Sequence, residues 1–140
     1  MNPAAVLALS TTLFLPLQAS EERADLDRLQ GQWALVETAD TQRVDPGADS
    51  IRMVITDKTI TMLFGPLETN RGTMVLGQSK GAKTIDMKFG NGRTVLGIYE
   101  LADDVLTICV ADAGNNRPER LAPARRQWLE KWKRVQPANE

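Results

Sequence analysis

Apolar side chains recur at every second position over most of this chain. Ile51, Met53 and Ile55 alternate with Arg52, Val54 and Thr56. Ile60, Met62 and Phe64 alternate with Thr59, Thr61 and Leu63, and Ile85, Met87 and Phe89 with Thr84, Asp86 and Lys88. A period of two is that of a strand with one face buried. Extending the rule predicts strands over Gln32–Thr38, Ile51–Thr56, Thr59–Phe64, Thr69–Leu76, Thr84–Phe89, Thr94–Leu101, Val105–Val110 and Gln127–Val135. A short helix is the alternative for the last. Turn formers separate them: Asp57-Lys58, Gly65-Pro66, Ala102-Asp103-Asp104, and Asn91-Gly92, which suits a type I′ hairpin because both residues tolerate positive φ. Polar loops are expected from Ala39 to Asp49, Gly77 to Lys83 and Gly114 to Pro123.

Only the stretch before the first strand is helical in pattern. Ser20–Gln30 predicts a short helix, with Ser20 as cap, Glu21 and Glu22 in the first turn and Leu26 and Leu29 on one face. Gly31 ends it. Eight strands with short connections pair antiparallel, because parallel neighbours need long crossovers. An all-β, up-and-down sheet follows. Closing it into a barrel removes the exposed edges, and a sandwich of the same strands is the rival.

Composition narrows the chemistry. The 140 residues suffice for one domain; they are 42% hydrophobic and 25% charged, with a formal net charge of −1. That balance gives no basis for wholesale attraction to nucleic acid. With no histidine, Ser–His–Asp and Cys–His machinery cannot be built within one chain. With Cys109 as the single cysteine there is no intrachain disulfide and no multi-thiolate zinc site. Residues 1–19 carry no charged side chain, and Ala4 to Leu17 is mostly apolar. About 14 such residues fall short of the roughly 20 that span a bilayer, and fit the apolar region of an export signal with a cut after Leu17-Gln18-Ala19. The expected organisation is a leader over 1–19, a barrel domain over 20–136 and a disordered tail over 137–140.

Particular blocks add a resemblance. Asp25-Leu26-Asp27-Arg28-Leu29-Gln30-Gly31-Gln32-Trp33 is similar to the opening of lipocalin-type barrels, in which a short helix leads into Gly-x-Trp at the first strand. Lys83-Thr84-Ile85-Asp86, Leu96-Gly97-Ile98-Tyr99-Glu100-Leu101, Leu106-Thr107-Ile108-Cys109 and Arg117-Pro118 follow in order. The series, from about residue 25 to 135, resembles a family of uncharacterised, exported lipocalin-like domains best known from planctomycete bacteria. After Arg117-Pro118 this chain has Glu119-Arg120-Leu121 where the family commonly has Thr-Glu-Phe. The resemblance implies an eight-stranded lipocalin-like barrel with a short N-terminal helix, and export. It implies no defined activity.

In such barrels Gly31 and Trp33 would close one end, with a basic residue of the last strand over the indole: Arg126, Lys131 or Arg134, of which Arg134 is the choice. Met53, Met62, Met87, Phe89 and Tyr99 are the candidate interior residues. They either fill the barrel by themselves or line a site for a small apolar ligand, methionine being adaptable to varied shapes. Tyr99 shares its face with Val95, Gly97 and Leu101, and a buried phenol needs a partner. Cys109 reads as a small strand residue. Asp86, Glu100, Asp103, Asp104 and Asp112 offer carboxylates, but no spacing selects a pair or a metal loop. Seven basic residues from Arg117 to Arg134, against Glu119 and Glu130 and with Trp128 and Trp132 among them, form either a solvated last strand or a basic, aromatic surface for an anionic polymer or headgroup.

The expectation is therefore a non-enzymatic, extracytoplasmic, monomeric binding module without metal or cofactor. It would hold a small apolar ligand or, alternatively, act on another exported macromolecule through its loops.

Overall fold

A computed structural model describes residues 17–48 and 50–136. The expected leader, apart from its last three residues, and the expected tail lie outside the described residues. A helix, α1 (Leu17–Leu29), is followed by nine strands. They are β1 (Gly31–Ala39), β2 (Val44–Pro46), β3 (Ile51–Thr56), β4 (Thr59–Phe64), β5 (Leu67–Ser79), β6 (Ala82–Phe89), β7 (Thr94–Ala102), β8 (Val105–Ala111) and β9 (Gln127–Arg134). Consecutive strands from β3 to β9 pair antiparallel, β3 pairs with the start of β1, and β9 pairs with β1 from Trp33 to Ala39. That last ladder closes an eight-stranded, all-β, lipocalin-like barrel and rules out the sandwich. β2 caps the remaining edge of β1, opposite Glu37–Ala39.

Inward positions build one core: Trp33, Leu35, Met53, Ile55, Ile60, Met74, Ile85, Met87, Tyr99, Leu101, Leu106, Ile108, Val110 and Trp132 are all buried. These are the period-two positions of the sequence. Burying them is the main stabilising force for the ring.

Several local expectations change. α1 begins at Leu17, so Ser20 lies inside the helix rather than capping it, and the first turn holds no acid. Leu17, Gln18 and Ala19 are compatible with helix, and nothing before Ser20 stops it. The expected cleavage point therefore falls within α1. Strand β2 lies inside the expected Ala39–Asp49 loop. Gly47 makes this possible: its N–H donates to Val36 O at 2.9 Å, and a Cβ there would lie 2.0 Å from Leu35 O. The β1–β9 register shifts between Leu35 and Glu37, beside this contact. The expected Gly77–Lys83 loop is mostly strand, joined by a two-residue turn at Lys80 and Gly81, with φ of 52° and 80°. At Asn91-Gly92 only Gly92 takes positive φ. There a longer connection forms, with Phe89 N–H on Arg93 O (3.0 Å) and the Asn91 side chain accepting from Arg93 N–H (2.9 Å). The last element is a strand, not a helix.

Residues 112–126 cross the outer wall. They cover Ile98 and Cys109, which point away from the axis yet are buried with Pro118. Arg117 ties this strap down through Asp86 Oδ1 (2.6 Å) and Gly97 O (2.9 Å), and Cys109 Sγ donates to Ala122 O at 3.5 Å. Burial pushes the Cys109 thiol pKa up, as expected of an unreactive wall residue.

Candidate functional site

The two ends of the barrel differ. At one end, Gly31 (φ 114°) turns the chain out of α1 into β1 and leaves Trp33 fully buried, its indole N–H donating to Leu29 O at 2.9 Å. The Arg134 guanidinium lies 4.4 Å from the Trp33 ring centroid, a cation–π contact. It also donates to Gln30 O (2.8 Å), to Arg28 O and to Asp104 Oδ1 (3.1 Å). Of the three basic residues weighed from sequence, Arg134 is the one over the indole.

Asp25 of α1 locks the same end. Its carboxylate accepts from Tyr99 Oη (2.7 Å) and Lys83 Nζ (2.8 Å), with Arg28 Nη1 at 3.4 Å. Burial alone would raise the Asp25 pKa; the Lys83 and Tyr99 hydrogen bonds and the Lys83 and Arg28 charges outweigh it, and the net direction is down. Burial and then the Asp25 charge push the Tyr99 phenol strongly up. Tyr99 points inward, and its hydroxyl is committed to holding the helix.

At the far end, the inner face is looser. Ile51, Met62, Phe89, Val95 and Trp128 pack against the core but are only half-buried. Above them, Phe64 and Leu67 flank the Gly65-Pro66 turn, 56% and 64% exposed. The candidate interior residues therefore separate into two groups. Met53 and Met87 are sealed in the middle of the core, Tyr99 belongs to the helix lock, and Met62 and Phe89 face the looser end.

The last strand adds a group that the sequence reading missed. Trp128, Glu130 and Trp132 share the inner face of β9, opposite Val110, Ile108 and Leu106. Trp128 Nε1 donates to Glu130 Oε2 at 2.8 Å and Trp132 Nε1 to Glu130 Oε1 at 3.1 Å. Among the described residues no ion pair reaches Glu130. Burial raises its pKa, against the two indole hydrogen bonds that lower it. Both indoles thus turn inward and are lost to any basic, aromatic outer surface. Lys131 pairs outside with Glu37 at 3.3 Å. The signal was there: the acid alternates in phase with two tryptophans, not with the lysines.

Asp86 and Asp104 are each engaged by an arginine, and among the described residues no three His, Cys, Asp or Glu side chains gather as metal ligands. Clefts of about 510 Å³ and 350 Å³ flank the strap on the outer wall, both touching Asn116, Arg117 and Glu119. No helix of the described residues is long and apolar enough to cross a membrane. Comparison with family models, with curated proteins and with solved structures finds no match.

Proposed function

We propose that this protein is an exported, non-enzymatic binding barrel that takes a small, mainly apolar ligand at the end opposite α1. One observation carries the reading. The inner face at that end is apolar and only half-buried (Ile51, Met62, Phe89, Val95, Trp128), above buried core residues such as Met53, Met87 and Ile108, whereas the half-buried apolar residues of the other end, Leu26 and Leu76, lie where α1 packs on β5. A ligand there covers exposed apolar surface without displacing the core, and Met62 adapts to its shape. Met53, Met87 and Tyr99 support the site from below and do not touch the ligand. Export rests on the uncharged, apolar leader.

Titrating decanol into the purified protein tests this. Saturable binding should shift the backbone amide resonances of residues 51, 62, 89, 95 and 128. No saturable shift, or shifts confined to the strap, would end the proposal. The clefts beside Arg117 favour a second reading, in which the strap docks another exported protein. Pull-down from the extracytoplasmic fraction, lost on Arg117→Ala, would support that reading instead.

A further inference from the structure

We propose that Glu130 is the recognition group for a cationic nitrogen, so that the ligand is a small alkylammonium: an apolar body ending in a protonated amine. The inference rests on the reading of the far end as the ligand site and adds the polar half of the ligand. An ionised carboxylate offers about four lone-pair positions. The two indoles fill one on each oxygen and fix the group in place. The remaining positions have no cation among the described residues, although Lys131 and Lys133 stand on the same strand and face the other way. Glu130 is half-buried and held only by neutral donors, and an incoming ammonium would add a charge-assisted hydrogen bond to it. Trp128 is half-buried at the far-end rim of the same strand, one inward position from Glu130. Asp25, the other inward carboxylate, already has two cations, Lys83 and Arg28, besides Tyr99, so its charge is met within the chain.

The test compares decylammonium with decanol, which share a chain and differ in the head. Affinity is read by calorimetry, and position by the indole N–H resonances of Trp128 and Trp132. The amine should bind about tenfold more tightly than the alcohol, the size of one charge-assisted hydrogen bond, and should move both indole signals. Glu130→Gln, which removes the charge and keeps one oxygen to accept from an indole, should bring the amine down to about the affinity of decanol. Equal affinities in the native protein would overturn the proposal while leaving the far-end site standing. So would a preference for the amine that survives Glu130→Gln. If neither compound binds, the site and the proposal fall together.

Discussion

Asp25 of α1 is a buried carboxylate and Glu130 a half-buried one on the inner face of β9, and they are held in opposite ways. Asp25 meets a lysine, an arginine and a phenol, and its pKa goes down. Glu130 meets two indole N–H groups and no cation, and its pKa goes up. The first arrangement spends its charge on fastening a helix. The second leaves charge available. An inward-facing acid is thus informative through what surrounds it: paired with cations it is an anchor, and held only by neutral donors it is a candidate to meet a cation from outside, as proposed for Glu130.

Three perturbations would break or sharpen this contrast. The largest effect is expected at Asp25→Asn, which removes the charge facing Lys83 and Arg28. It should cost about 2–3 kcal/mol of unfolding free energy at neutral pH, below the full penalty for a buried pair because both cations are partly solvated. Because the folded pKa of Asp25 is depressed, its stabilisation is present above the unfolded value of about 3.9 and is lost as pH falls through the folded value. Urea titrations should show the native and variant curves converging in acid.

Glu130→Gln should change the pH dependence more than the stability at pH 7, because removing the desolvated charge is offset by the loss of one indole acceptor, about 1 kcal/mol each way. The Glu130 pKa is raised on folding, so the unfolded chain ionises first. Native stability then falls as pH rises from about 4.3 through the folded value, a fall the glutamine variant should lack. A Glu130→Gln protein whose stability fell in parallel with native over that window would contradict the account. The smallest stability change belongs to Phe64→Ser at the exposed rim, less than about 0.5 kcal/mol. That variant should still weaken decanol binding by about fivefold, which calorimetry can read.

Much of the barrel was legible because its strands obey period two and its hairpins are short. The failures have local causes. β2 lies among Asp45, Pro46 and Gly47, and its pairing depends on Gly47 reaching Val36, which no local pattern encodes. β5 runs beyond its expected ends because Gly72 and Gly77 blur the alternation. Lys80-Gly81 took the I′ turn expected at Asn91-Gly92 because the flanking ladder runs to Ser79 and Ala82 there, leaving two residues to turn. The site was less legible. Glu130 lies in a stretch that stands out for its basic residues, although its parity puts it inside. Asp25 and Tyr99 are 74 residues apart, so their bond has no sequence signature. Yet Asp25, Arg28, Lys83, Tyr99, Asp86, Gly97 and Arg117 all fall in the blocks that carry the lipocalin-like resemblance. What looked familiar in the sequence is the set of fastenings for helix and strap, which is why it implied a shape and no activity.

The ring has one seam, and its two lips are the first strand and the last. Arg134 crosses it, bonding Gln30 O from 104 residues away. During synthesis, hairpins from β3 to β8 can zip as they emerge, but the cylinder stays unclosed until β9 has left the ribosome. A chain cut short anywhere before residue 127 would carry two bare strand edges, so premature termination should yield a self-associating sheet rather than a smaller barrel.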